Sequence, residues 1–204
     1  MMSKTHLAVG VASSLAVTMP DSVGGLFKAV IGGCVGGVLC DVECRSTPGM
    51  RDALYGRIIA AGVTVLLLAM DRIINSGIWV RILSQSKSSI ILGLVILFAT
   101  CLVGRLSDHR TFTHSLLYVL LITFGSFCID PEFLIPVLAG GLSHLTIDTL
   151  NKKPVPWLYP LRKKGICFNI CFASKTGNAV CMWLGLIASI ALIGWRLTAI
   201  IASV

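Results

Sequence analysis

Seven apolar runs separated by short polar breaks organise the chain, at 7–19, 23–40, 52–70, 90–106, 113–129, 132–150 and 179–202. A helix needs roughly 20 apolar residues to cross a bilayer. The pattern therefore predicts an all-α, multi-pass transmembrane helix bundle of about six to seven apolar helices. The first run is short for a span. A signal peptide shares its charged start and short apolar stretch, but no small-x-small cleavage site precedes a polar start, and the second run begins directly after Pro20-Asp21. Segment 71–89 is more polar, and Ile78-Trp79-Val80 in its middle is expected at the membrane interface. Segment 151–178 is the longest polar stretch. It interleaves Lys152, Lys153, Arg162, Lys163, Lys164 and Lys175 with Trp157, Tyr159 and several prolines. Basic and aromatic residues beside a span read as a headgroup-level anchor. We expect this loop to lie within a single integral membrane domain, 1–204.

The second run carries Gly32, Gly33, Gly36 and Gly37, two overlapping GxxxG patterns. Small residues at that spacing let helix backbones approach closely in a membrane. The run ends in Asp41, with Glu43 two residues on. Carboxylates at a helix C-terminus oppose the helix dipole, so another interaction must hold them there. Pairing with Arg45 or Arg51 is the ordinary explanation.

Composition supports the membrane reading. Of 204 residues, 55% are hydrophobic and 13% charged, against about a quarter charged in a soluble domain. The net charge of +8 does not point to nucleic acid, because the basic residues sit in short loops between apolar runs. If all seven runs cross, the N-terminal side gathers Lys4, Arg45, Arg51, Arg110 and the basic loop, and the other side has Arg72, Arg81 and Lys87. The positive-inside rule then makes the N-terminal side cytoplasmic. The cysteines lie mostly inside apolar runs and read as small buried hydrophobes. Cys167 and Cys171 form a CxxxC, a weak zinc signal.

The candidate chemistry centres on His109-Arg110-Thr111-Phe112-Thr113-His114-Ser115. Thr113 is a good N-cap for the following run, which would place His114 in its first turn. His144 and Asp148, four apart, share one helical face. That spacing suits two ligands for one metal, or a carboxylate orienting an imidazole; a simple His–Asp hydrogen bond closing the run fits equally well. With all runs crossing, His6, Asp41, Glu43, His109, His114, His144 and Asp148 fall at one membrane face. Ionisable groups at membrane depth are costly and mark function. The nitrogen-and-oxygen set is of divalent-metal type.

The HRxxTHS motif, the segment from Gly140-Gly141 through Ser143-His144 to Asp148, the acidic Asp41-x-Glu43 helix end and the Thr5-His6 start resemble the bacterial YdjM-like family. The likeness runs from His6 to about Pro160. The resemblance implies an inner-membrane, metal-dependent hydrolase whose site faces the cytoplasm. Its helical His/Asp constellation is distantly similar to that of the zinc phospholipase C group. It implies His6, Asp41, Glu43, His114, His144 and Asp148 as ligands for one or two divalent ions, zinc or manganese. Arg110 would stabilise an anionic transition state, and His109 would orient a ligand or donate a proton. A metal-activated water would attack an ester or phosphoester, with a membrane lipid as the favoured substrate. Two departures stand out. Many members read LPDIDHPxS where this chain has Glu43 for Asp and Cys44 for His. A Gly-x-x-x-Glu often follows the basic loop, whereas Gly177 here is followed by Cys181, so a ligand from that Glu, and with it a second metal, is missing or replaced. The rival classes are a non-catalytic membrane protein with a structural metal clamp and a transporter. A transporter should carry ionisable groups at mid-membrane and internal repeats, and neither is visible.

Overall fold

The computed structural model of the chain describes residues 2–44, 49–108, 110–169 and 175–203. Among these residues eight helices follow one another: α1 (Ser3–Thr18), α2 (Val23–Leu39), α3 (Gly49–Ile74), α4 (Ile78–Ser84), α5 (Lys87–Leu106), α6 (Leu116–Ile129), α7 (Leu134–Thr149) and α8 (Lys175–Ala202). Short 3-10 turns at Cys40–Glu43, Phe112–His114 and Pro131–Phe133 link some of them. Among the described residues the β pairing is a single antiparallel bridge, Val155 to Ile166, within the basic loop.

Four stretches are long and apolar enough to cross a membrane: Val23–Glu43, Met50–Ile74, Lys87–Leu106 and Thr176–Ala202. Length and composition thus support four full spans among the described residues, against the six to seven expected. Helices α1, α6 and α7 have 16, 14 and 16 residues. At 1.5 Å per residue these reach about 24, 21 and 24 Å, short of the ~30 Å hydrocarbon core. The shortfall has a physical reason. Helix α1 packs against α2, α7 and α8, and α7 also packs against α2 and α6. Protein surrounds these helices on several sides, so their length need not match the lipid. The three longest helices, α3, α5 and α8, turn apolar side chains such as Val65, Phe98 and Ile187 outward, as a lipid-facing shell does.

Helix α2 sits between α1 and α7, and its two glycine stripes divide the work. A Cβ on Gly33 would lie 2.7 Å from the Gly10 carbonyl oxygen of α1, and one on Gly37 2.7 Å from the His6 carbonyl oxygen. On the other stripe, a Cβ on Gly36 would lie 2.3 Å from the Val137 carbonyl oxygen of α7, and one on Gly32 2.3 Å from Pro136 Cβ. One GxxxG pattern thus meets α1 and the overlapping one meets α7, each at backbone contact. Ser14 adds a cross-helix hydrogen bond, its hydroxyl donating to the Ala29 carbonyl at 2.7 Å.

The far end of this inner group is closed by charge. Lys28, buried in α2, pairs with the buried Asp130 and lies 2.8 Å from Glu132 Oε2, while Arg81 of α4 pairs with the other Glu132 oxygen. A lysine inside an apolar run is tolerated because the turn between α6 and α7 supplies carboxylates. At Asp130-Pro131 the chain breaks between α6 and α7: the Asp130 carboxylate accepts from the Glu132 N–H at 3.0 Å and starts the 3-10 turn.

The glycine contacts give a paired prediction. Gly36→Val should lower stability by about 3 kcal/mol or more, because the new side chain meets backbone that cannot yield. Gly62 of α3 has nothing within 4 Å of a built Cβ, so Gly62→Ala should change stability by no more than about 1 kcal/mol. Melting temperature and monodisperse yield in detergent, compared across the two variants, check this.

Candidate metal centre

The helix ends converge. His6 lies in the second turn of α1, Asp41 in the 3-10 turn that ends α2, His114 in the 3-10 turn before α6, and His144 and Asp148 in the last turns of α7. All five side chains are buried, the histidines at 0–1% exposure. Two overlapping groups of ligand atoms form, His6–His144–Asp148 and Asp41–His114–His144, each with its atoms within 4.8 Å of one another. The i, i+4 pair on α7 therefore contributes to one cluster.

The distances are compatible with a group able to hold a metal ion. His114 Nε2 lies 3.4 Å from His144 Nε2, 3.3 Å from Asp148 Oδ2 and 3.9 Å from Asp41 Oδ1. His144 Nε2 lies 3.8 Å from Asp41 Oδ1, and His6 Nε2 lies 3.4 Å from Asp148 Oδ1. Donor atoms held about 2.1 Å from one ion stand about 3 to 4 Å apart. The His6 ring stacks on the His144 ring, centroids 3.7 Å apart. Among the described residues His6 Nδ1 has no partner and Nε2 meets only Asp148, although both nitrogens are buried. Buried polar atoms are nearly always satisfied, so this imidazole fits the part of a cation ligand.

The surrounding bonds fix which atoms face inward. His144 Nδ1 donates to the Gly37 carbonyl oxygen at 2.8 Å, because a carbonyl can only accept. That leaves Nε2 of the neutral ring as the inward lone pair. His114 Nδ1 lies 3.2 Å from Glu43 Oε1 and 3.0 Å from Thr113 Oγ1, and the Thr113 hydroxyl in turn donates to Glu43 Oε2. A carboxylate behind a histidine is the usual support of a metal ligand. Glu43 thus lies behind His114, on the side away from the other ligand atoms. Burial alone would lower the His114 pKa, but hydrogen bonds to Asp148 and Glu43 and the charge of both raise it to about 9. Asp41 presents Oδ1 to the histidines while its Oδ2 accepts from the Ser3 hydroxyl at 3.0 Å.

Arg110 stands at the rim. One terminal nitrogen donates to Asp148 Oδ2 at 3.0 Å and the other to the Lys153 carbonyl at 3.1 Å. Its backbone has φ 59°, a left-handed conformation that a non-glycine residue adopts at a cost of roughly 1–2 kcal/mol. The Arg110 N–H donating to Glu43 Oε1 accompanies it. Its Nε–H is buried and has no acceptor among the described residues.

Several expectations change. The cap of α6 is Ser115, whose hydroxyl accepts from the Tyr118 N–H at 3.2 Å. Thr113 is not the cap, and His114 lies in the 3-10 turn ahead of the helix. Thr113 spends its hydroxyl on Glu43 instead. Asp41 and Glu43 turn inward to Ser3, Thr113 and the histidines, while Arg51 is exposed. Arg45 and the candidate proton donor His109 lie outside the described residues, as does Cys171 of the CxxxC. Cys44 belongs to neither ligand group; burial, then the Asp41 and Glu43 carboxylates, push its thiol up to about 12. The positioning groups Ser3, Thr113 and Gly37 were not foreseen. Ser3 had one weak signal, its i−3 spacing from His6 on the same helix face. Asn178 at the start of α8 and Asp52 at the start of α3 hold the first residues of α1, accepting from the Met2 and Ser3 N–H groups at 2.8 and 2.6 Å.

This is an all-helical protein with apolar spans and a buried His/Asp group able to hold a metal ion. The family model described as YdjM inner membrane protein matches residues 1–204, and the chain belongs to that family. No curated protein and no solved structure gives a significant match.

The support of His114 by Glu43 can be tested through affinity. Loss of a supporting carboxylate typically costs about 10–100-fold in metal binding. Glu43→Gln should weaken zinc binding by about that factor while keeping near-stoichiometric loading at saturation, whereas His144→Ala should abolish it. Competition titration against a chromogenic chelator reads both.

Proposed function

We propose that the chain is a membrane-embedded, metal-dependent hydrolase whose single divalent ion, zinc or manganese, is held by His6, Asp41, His114, His144 and Asp148. The observation that carries this reading is the two overlapping groups, His6–His144–Asp148 and Asp41–His114–His144, whose ligand atoms lie within 4.8 Å of one another, with His6 Nδ1 unpartnered among the described residues. The ligand set holds no thiolate. Structural zinc sites rely on cysteine, and hydrolytic ones on histidine and carboxylate. A divalent ion in this position supplies Lewis acidity and makes water a nucleophile near neutral pH.

The chain's own groups take defined parts. Gly37 and Glu43 hold the His144 and His114 rings so that Nε2 points inward. Ser3 fixes Asp41. Arg110 steadies Asp148 and brings its buried Nε–H to the rim, where it can accept the charge of an anionic ester or phosphoester. His109, next to Arg110, is the candidate proton donor to the leaving group. A cytoplasmic-facing site at the inner membrane is the orientation this reading takes, and the basic residues Arg110, Lys152 and Lys153 beside the cluster suit it.

A second reading rests on burial. The five ligand residues are each less than a tenth exposed, and a closed site of that kind is how a structural clamp binds metal.

Purified full-length chain in detergent should contain about one ion per chain and hydrolyse bis(p-nitrophenyl) phosphate or a short-chain phospholipid. His144→Ala and Asp148→Ala, shown folded by size exclusion, should lose the ion and at least 100-fold in rate. Bound metal with no turnover across esters and phosphoesters would favour the clamp. A wild type that takes up neither zinc nor manganese would sink both readings.

A further inference from the structure

The basic loop after α7 holds an opening that the His/Asp cluster does not use. A cavity of about 260 Å³ is lined by Trp157, Leu158, Arg162, Lys164, Gly165 and Ile166. The loop around it contains no acidic residue from 151 to 169. Among the described residues, Arg162, Lys163 and Lys164 form no ion pair with a carboxylate. The same loop exposes large apolar side chains, Leu161 at 92% and Phe168 at 61%, with Leu158 and Ile166 half exposed at the cavity itself. Exposed apolar groups interleaved with unpaired cations match the boundary between acyl chains and anionic headgroups.

The cavity is fastened to the metal cluster. The Trp157 carbonyl accepts from the Leu116 N–H at 2.9 Å, two residues beyond His114. Trp157 Nε1 donates to Thr149 Oγ1 at 2.7 Å, next to Asp148, and the Phe168 N–H donates to the Thr149 carbonyl at 2.8 Å. Lys153 accepts from Arg110, which itself holds Asp148. The Val155–Ile166 bridge closes the base of the loop, with N–H to carbonyl bonds of 2.9 Å in both directions. These bonds tie the cavity to the residues that flank His114 and Asp148.

We propose that this cavity binds the phosphate of an anionic glycerophospholipid. Arg162 and Lys164 take the phosphate, Trp157 lies against the glycerol region, and Leu158, Leu161 and Phe168 lie among the acyl chains. Resting on the hydrolase reading, this names the substrate class as an anionic membrane phospholipid presented from the bilayer face.

Binding is measured without turnover. Full-length chain in nanodiscs of phosphatidylcholine is titrated with brominated phosphatidylglycerol or brominated phosphatidylcholine, and tryptophan quenching is followed. The expected result is saturable quenching that favours phosphatidylglycerol at least fivefold. The phosphatidylglycerol-selective part should be absent from Trp157→Phe, in which Trp79, Trp183 and Trp195 remain and are quenched alike by both lipids, and the preference should be lost in the Arg162→Gln/Lys164→Gln variant with metal content unchanged. Equal quenching by both lipids, or an unchanged preference in the double variant, overturns the proposal. So does inorganic phosphate that relieves the quenching at concentrations matching the lipid, since the site would then recognise free phosphate. Selective lipid binding without hydrolysis would leave this site standing while the hydrolase reading fell. Hydrolysis of a soluble phosphoester without lipid selectivity would do the reverse.

Discussion

The backbone contact of α2 with its two neighbours is the constraint on which the rest depends. Lipid offers helices no hydrophobic reason to associate, so close packing and polar bonds must hold them. Gly37 joins the two requirements in one residue. Its missing side chain lets α1 approach at the His6 carbonyl, and its own carbonyl accepts the His144 Nδ1 proton from α7. A side chain there would push away the helix that carries one candidate ligand and disturb the peptide that orients another. Fold and site share the same interface.

The stacking of polar groups at both ends of α2 follows from this geometry. At one end the buried Lys28 meets Asp130 and Glu132. At the other, Asp41 and Glu43 meet the histidines. A buried charge is tolerated only when partners neutralise it, so each end needs counter-charges from other helices. The far end supplies them within the protein, through the α6–α7 turn and Arg81. The near end gathers carboxylates around three imidazoles. The far end pairs a lysine with carboxylates and so neutralises itself, whereas the near end holds a donor set able to take a cation; that difference is why the near end reads as a site and the far end as a fastening.

Much of this was legible in the chain. Alternating run ends pointed to His6, Asp41, His114, His144 and Asp148 lying together, and the structure gathers these five, although only four stretches among the described residues are long enough to span. The two glycine stripes were visible as periodic patterns. The span count was less legible, since run length alone does not tell a lipid-facing helix from a short one enclosed by protein, as α1 and α7 are. The position of Glu43 could not be read either. Whether a carboxylate faces an ion or backs a histidine depends on which ring nitrogen it meets, and that is fixed by the 3-10 turns at Cys40–Glu43 and Phe112–His114. Such short turns leave little periodicity in a sequence. Ser3 and Thr113 stayed hidden because a single hydroxyl carries meaning only once its partner is placed.

Arg110 shows where stability and access compete. Its guanidinium bridges Asp148 and the Lys153 carbonyl, so one side chain couples the centre to the loop that bears the basic cavity. In a structural clamp that bridge would serve to seal the centre. In a hydrolase the same bridge has to exchange, because an anion reaching the ion competes with Asp148 for the guanidinium. The left-handed backbone at Arg110 is held in place by its surroundings, as strain of this kind must be. The Glu43 carboxylate that meets the Arg110 N–H also backs His114. An anion drawing Arg110 outward would therefore also disturb the support of a candidate ligand, and this links the loop, the rim and the metal cluster in one mechanical unit.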